Sequence, residues 1–401
     1  MISFSKRTRI VLLCLAGGTC GAVLYFQAPR IYSNIEYINS DEIPLETTQS
    51  ASSATPLVEE EHPPVPVVKH IPTPEKVKAV YLSSWVAGSA KYREPIIDMI
   101  DKTEINAIVI DVKDSTGRIS FPVSDPNLAS FGSVERRIGD IDGLVARLHE
   151  KDIYLIARVA VFQDPFLTHK KPEWSVRKKS DGGVWKDRKG LSFLDPTQKE
   201  VWDYAVAIGH EAYNRGFDEI NFDYIRYPSD GNMNDINYNL APGKTRADNI
   251  EAFFIYLAQE MKKNEPIPIS ADLFGLTTEI SDDMGIGQVW EKAIVHFDFV
   301  SPMVYPSHYP AGYAGLKNPA AHPYEVITRS LKSAIEKTKV VGEDTDKIRP
   351  WLQDFDMGAI YTKDLVRAQI KATHDLGLDS WMLWDPANKY TPSAFLLENT
   401  Q

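Results

Sequence analysis

A chain of 401 residues, 43% apolar and 10% aromatic, is long for one ordinary domain and rich enough in apolar side chains for a sizeable core. Its formal net charge of −11 argues against the basic face that nucleic-acid binding needs, and suits a neutral or cationic ligand better than a polyanion. Both cysteines, Cys14 and Cys20, lie in the first twenty residues, so the rest of the chain has no disulfide, zinc-thiolate cage or thiol nucleophile.

In chain order, Lys6, Arg7 and Arg9 precede an uncharged run from Ile10 to Phe26, the pattern of a signal peptide or signal anchor. At about 17 residues the run sits at the lower edge of a spanning helix. Pro29 hinders cleavage just before it. Residues 1–29 are therefore read as an uncleaved transmembrane anchor, single-pass in the cell membrane with the bulk of the chain outside; secretion is the alternative. Residues 30–75 are acidic and rich in Ser and Thr, then rich in proline (Pro63, Pro64, Pro66, Pro72, Pro74). Such a segment cannot build a packed core and reads as a disordered spacer.

Residues 76–401 read as one domain. From Val77 short apolar runs alternate with helical periodicity, as in parallel strands joined by crossover helices. Eight strands are expected: Ala79–Trp85, Ala107–Val112, Tyr154–Val161, Glu219–Tyr224, Pro268–Phe274, Phe299–Tyr305, Ile348–Gln353 and Ser380–Trp384. Between them, Ile138, Ile141, Leu144, Val145 and Leu148 recur at helical spacing, and Asp195, Pro196 and Gln198 make a helix start before Val201–Tyr213. Further helices are expected near Ile250–Lys262, Gln288–Val295, Tyr324–Thr338 and Leu365–Leu376. This is the arithmetic of an α/β fold of the (β/α)8, or TIM-barrel, kind; an open doubly wound sheet lacks its glycine-rich phosphate turn here.

The connections after strands two, three and four are long and the returns from helix to strand are brief, so the working face lies at the carboxyl ends of the strands. The loops carry Trp174, Trp185, Phe193, Tyr227, Tyr238, His308, Tyr309 and Tyr313, which either stack on sugar rings or simply cover the barrel top. The run Asp114 to Gly117 reads as a turn.

In the segment Phe217 to Pro228, strand alternation sets Glu219, Asn221 and Asp223 on one face and Ile220, Phe222 and Tyr224 on the other. The apolar set suits the surrounding helices, so Asp223 points into the barrel at its carboxyl end, with Arg226 as an obvious counter-charge. Glu219 lies deeper and reads as structural. Asp272 and Asp111 end neighbouring strands, and Arg158 on strand three is a partner for one of these acids. Tyr305, His308, Gln353, Trp384 and Asp385 cluster at the ends of strands six to eight. Adjacent strands are ~4.8 Å apart, so Asp223 and Asp272 fit the ~5–5.5 Å carboxyl separation of retaining glycosidases; a wider pair such as Asp223 with Asp111 suits inversion. No His-Glu-x-x-His motif or nucleophile elbow is present, and the residues call for neither metal nor cofactor.

The segments Val80–Leu82, Ile110–Asp114, Ala157–Val159, Phe217–Pro228 and Met303–Tyr309 resemble a bacterial family of TIM-barrel glycosyl hydrolases over most of residues 77–390. The resemblance implies a TIM barrel, a secreted or envelope location and action on a glycan. By analogy with glycosidase barrels, acids at the ends of strands four and five form the catalytic pair: Asp223 as nucleophile or charge stabiliser and Asp272 as acid/base, where many such barrels carry Glu. Asp111, Arg158, Arg226, Tyr305, His308, Gln353, Trp384 and Asp385 would then orient the polysaccharide. A non-catalytic glycan-binding envelope protein on the same scaffold is the alternative, and a glycan deacetylase a third reading.

Overall fold

The computed structural model describes residues 68–397. Eight parallel strands close into a barrel: β1 (Lys78–Leu82), β2 (Ala107–Lys113), β3 (Tyr154–Ala160), β4 (Glu219–Asp223), β5 (Ile269–Phe274), β6 (Phe299–Met303), β7 (Trp351–Gln353) and β8 (Trp381–Trp384). Each strand pairs with its sequence neighbours, and β8 returns to β1. Helices follow the strands, among them Ile141–His149, Lys199–Asn214, Arg246–Met261, Pro323–Val340 and Lys363–Asp375. All eight expected strands are present. The anchor expected at residues 1–29 and residues 30–67 of the spacer expected at 30–75 lie outside the described residues; residues 68–75 are described and pack on the barrel. Among the described residues no helix is long and apolar enough to cross a membrane.

Period-two patterning divides the apolar side chains between two compartments. Ile108, Ile110, Leu155, Ala157, Ile220, Phe222, Ile269, Leu273, Leu352 and Leu383 belong to the layer packed between sheet and helices. Ala79, Tyr81, Ala107, Val109, Tyr154, Ile156, Trp351 and Met382 fill the barrel interior. Among the latter sits a fully buried ion pair. Glu219 accepts from Arg349 Nη1 at 2.9 and 3.0 Å, from Ser270 Oγ at 2.6 Å and from Tyr154 OH at 3.1 Å.

Several strand ends differ from expectation, among them β6, which stops at Met303 rather than Tyr305; three have a clear local reason. β1 stops at Leu82 because the Ser83 hydroxyl accepts the Val86 N–H and starts a helical turn, Ser84–Gly88. β7 begins at Trp351 because Pro350 has no N–H to give the ladder, although Ile348 still bridges Val300. β4 stops at Asp223 because Tyr224 takes φ 53°, a left-handed conformation that costs a bulky residue ~1–2 kcal/mol. The expected helix start at Asp195 is also displaced. Asp195 closes a turn through the Thr197 N–H and hydroxyl, and the helix begins at Lys199.

Residues 68–75 run against the amino-terminal side of the barrel. The Ile71 N–H donates to Asp218 Oδ1 at 2.7 Å, Thr73 Oγ1 lies 2.9 Å from Tyr154 OH, and His70 stacks on Tyr213 at 3.9 Å. Asp218 also accepts the Leu155 N–H at 2.8 Å and lies 3.0 Å from His149 Nε2.

Removing one member of the Glu219–Arg349 pair leaves a buried charge without its partner, which costs about 3–5 kcal/mol. Urea unfolding should show that loss for Glu219→Leu, and a partial recovery in the double variant Glu219→Leu/Arg349→Met. Equal or greater loss in the double variant would contradict a mutually compensating pair.

Candidate active site

Inward-facing positions near the carboxyl ends of β1 to β5 bring Tyr81, Asp111, Arg158, Asp223 and Asp272 together. The ladder aligns Asp111 with Arg158 and Ala160 with Asp223. It also pairs Asn221 with Ser270 and Phe222 with Ala271, so the next step up sets Asp223 beside Asp272. All four charged side chains are buried, and a charge there is tolerable only when paired and hydrogen-bonded.

Arg158 supplies the pairing. Its Nη1 donates to Asp111 Oδ1 at 2.6 Å, its Nη2 donates to Asp223 Oδ2, and its Nε stands 3.7 Å from Asp272 Oδ2. Burial works against the guanidinium charge, but Asp223 and Asp111 outweigh it and hold Arg158 well above its usual pKa. Trp384 covers the guanidinium at 4.9 Å and stacks on Tyr81 at 3.8 Å.

Each carboxylate meets different partners. Asp111 has both oxygens occupied, since Tyr81 OH donates to Oδ2 at 2.5 Å; burial raises its pKa against the pull of Arg158. Asp223 Oδ1 accepts its neighbour's backbone N–H, from Tyr224, at 2.5 Å. The left-handed turn at Tyr224 therefore both ends the strand and fixes the Asp223 carboxylate. Asp272 receives two N–H donors on one oxygen, Asn221 Nδ2 at 2.9 Å and Trp351 Nε1 at 2.8 Å, both to Oδ1. That leaves Oδ2 as the place for a proton. Burial first, and then the charge of Asp223, push Asp272 up to about 8. Two carboxyl groups on neighbouring strands thus divide into one that holds a proton at neutral pH and one that faces a guanidinium.

The other expected residues fall in several places. Tyr305 is buried near the acids, its hydroxyl raised by burial and by the charges of Asp272 and Asp223. His308 and Phe355 meet the Tyr305 ring edge-on. Burial lowers His308 to about 4, so it is neutral at pH 7. Gln353 fastens loops, accepting from the Ser307 N–H and donating to the Phe355 carbonyl. Asp385 accepts the Ala387 and Lys389 N–H groups of its own loop. Arg226 Nη1 donates to the Tyr227 carbonyl and to Ser229 Oγ, and its guanidinium lies over the Phe274 ring at 4.8 Å. Asp223 forms an ion pair with Arg158. Among the described residues no group of three or more His, Cys, Asp or Glu could hold a metal ion.

Of the loop aromatics, Trp185 and Phe193 form a small core with Val176 and Ile236, where the short strands Arg177–Lys178 and Ile236–Asn237 pair. Tyr227 and Tyr309 are also buried. These rings hold the long loops down. The expected turn is present: the Gly117 N–H bonds the Asp114 carbonyl at 3.0 Å, and with φ 87° a Cβ at Gly117 would meet Asp164 Oδ1 at 1.9 Å. Sequence reasoning missed the roles of Tyr81, Asn221 and Trp351. Asn221 shares a face with Asp223, so strand parity was a signal for it.

The family model described as a putative glycosyl hydrolase domain matches residues 79–390. No curated protein matches the chain. A hypothetical protein from Ruminiclostridium thermocellum is 33% identical, with 51% of this chain and 98% of that one covered and a TM-score of 0.44. The glycoside hydrolase domain of PgaB (BpsB) from Bordetella bronchiseptica is 12% identical, with 77% of this chain and 94% of that one covered and a TM-score of 0.58. α-L-fucosidase isoenzyme 2 from Paenibacillus thiaminolyticus is 12% identical at a TM-score of 0.51, and the match spans 80% of this chain but 47% of the fucosidase. The last two show a shared barrel.

Between the ordinary Asp value of 3.8 and about 8, the folded chain keeps a proton on Asp272 that the unfolded chain has released. Stability therefore falls as pH rises through that window. Thermal unfolding from pH 5 to 9 should show a shallower decline in Asp272→Asn. An unchanged slope would mean that Asp272 is already ionised when folded.

Proposed function

We propose, from the premise that this chain belongs to the family of putative glycosyl hydrolase domains, that it hydrolyses a glycosidic bond of an extracellular or cell-envelope polysaccharide. The observation that carries this reading is the unequal pair on adjacent strands. Asp272 keeps its proton near neutral pH, while Asp223 faces Arg158.

Asp272 then acts as general acid. Its Oδ2 gives a proton to the glycosidic oxygen as the bond to the anomeric carbon breaks, while Asn221 and Trp351 keep Oδ1 oriented. Asp223 meets the positive charge that develops on the sugar ring, either by bonding to the anomeric carbon or by stabilising the cation while water attacks. In either route Asp272, now ionised, takes a proton from the water that attacks the anomeric carbon, which restores both acids. Arg158 and Asp111 position Asp223, and the Trp384 and Tyr81 rings wall the mouth. Three acids around one arginine, with a net chain charge of −11, favour a neutral or cationic glycan. The apolar run Ile10–Phe26 would tether the domain to the membrane, and cell fractionation of the full chain tests that placement.

A glycan-binding protein on the same scaffold is the second reading. The depth of the acids favours it: the Asp223 and Asp272 side chains are 7% and 1% exposed. Turnover separates the two. On a panel of wall and capsule glycans, Asp223→Asn should lower kcat by about a thousandfold or more, whereas a binding protein shows no turnover to lose. Activity should fall as pH rises through about 8, because Asp272 must arrive protonated. Asp272→Asn should lose far more activity on a natural glycan than on an aryl glycoside, whose leaving group needs little proton assistance. Full activity in Asp223→Asn would remove that residue from the mechanism.

A further inference from the structure

The turn after β1 carries a side chain that the reaction as described does not use. Trp85 is 61% exposed, and the other tryptophans of the described residues are buried or half-buried. Its backbone is held firmly. Ser83 starts the turn, and both its N–H and its hydroxyl bond Asn388 Oδ1, in the loop after β8, at 3.0 Å. One face of the indole is backed by the Arg137 guanidinium, 4.8 Å from the ring.

Arg137 is itself fixed. Its side chain is 4% exposed and donates to Ser84 Oγ at 3.1 Å, Asp114 Oδ2 at 2.5 Å and Glu135 Oε2 at 2.9 Å. Asp114 closes the turn that follows β2, three residues from Asp111, whose pKa is raised by burial first and then by the Asp114 charge, against the pull of Arg158. Contacts thus run from Asp114, on the turn just past Asp111, through Arg137 to an indole standing open at the rim. An aromatic ring rigid on one side and wet on the other presents a flat apolar surface to the C–H face of a pyranose. The guanidinium behind it strengthens its hold without covering that surface.

We propose that Trp85 is the stacking platform of a sugar subsite set apart from the cleavage point, so that the ligand is a chain of several sugar units running across the loops after β1 and β2. This rests on the glycan reading of the mouth and deepens it: the substrate class is a polymer, engaged on the side of Asp111 and Asp114.

Affinity electrophoresis tests it directly, with the full chain run in the cold through gels containing glycol chitosan or galactomannan. The unsubstituted chain should be retarded, Trp85→Ala should weaken the apparent affinity about tenfold, and Trp85→Phe should restore most of it. Hydrolysis assays add a second readout. The Trp85→Ala loss in kcat/KM should be several-fold larger on polymer than on an aryl monosaccharide, and should lie mainly in KM. Equal retardation of Trp85→Ala and the unsubstituted chain would overturn the proposal, as would no retardation by either polysaccharide. Retardation that depends on Trp85 in a chain without turnover would instead remove only the hydrolase reading.

Discussion

A guanidinium at the carboxyl-end layer of the barrel, ringed by three carboxyl groups and sealed from water, sets the terms for everything around it. Four charges of this kind are too costly to bury unless their geometry is close and their spare lone pairs are filled. Arg158 meets that demand by dividing its donors: one Nη serves Asp111, the other serves Asp223, and Nε only approaches Asp272 at 3.7 Å. One positive charge cannot hold three negative ones. Burial and the charge of Asp223 therefore keep the proton on Asp272, against the pull of the two neutral donors on its Oδ1. The asymmetry that acid/base chemistry needs follows from burial first, and then from the unequal way Arg158 serves the three acids.

The surrounding structure serves that arrangement. Aromatic rings wall the layer because they exclude water while tolerating the guanidinium face, as Trp384 does over Arg158. The backbone at Tyr224 adopts a left-handed conformation that local preference opposes. In return its N–H is delivered to Asp223, and its ring comes within 6.0 Å of Arg158. Strain of this kind is tolerated where the surroundings over-determine it, and here they include the acid on which the proposed chemistry depends. Below, the Glu219–Arg349 pair and the apolar interior make a rigid floor. Above, the loop after β3 pairs with the loop after β4 through Arg177–Lys178 and Ile236–Asn237.

Much of this was legible in the chain. Short apolar runs between segments of helical periodicity located all eight strands, and period-two parity turned Asp223 and Glu219 inward. Arg158 was recognisable as a partner for the strand-end acids because it occupies the same layer on a neighbouring strand. What escaped depends on contacts between distant residues. Trp351 reaches Asp272 across 79 positions and Arg349 reaches Glu219 across 130, and no local pattern encodes either. Arg226, three residues from Asp223, drew attention by proximity, and its Nη1 donates to the Tyr227 carbonyl and Ser229. Apolar character misled at Trp85. It reads as the end of a strand, yet the Ser83 cap ends β1 three residues earlier and turns the indole outward. Conversely, Trp185 and Phe193 lie on a long loop but are needed to pack that loop's own small core.

The central claim is that Asp272 is a neutral acid at physiological pH because it is buried beside the charge of Asp223, while Arg158 gives its Nη donors to Asp111 and Asp223. Infrared difference spectroscopy between pH 6 and pH 9 observes that proton directly, through the carbonyl stretch of a protonated carboxyl group. The account predicts a band that is present at pH 7, disappears as pH rises through about 8, and is missing from Asp272→Asn. A component titrating through about 8 that is unchanged in Asp272→Asn, or a spectrum without that component, would contradict it; a component near 7 belongs to Asp354.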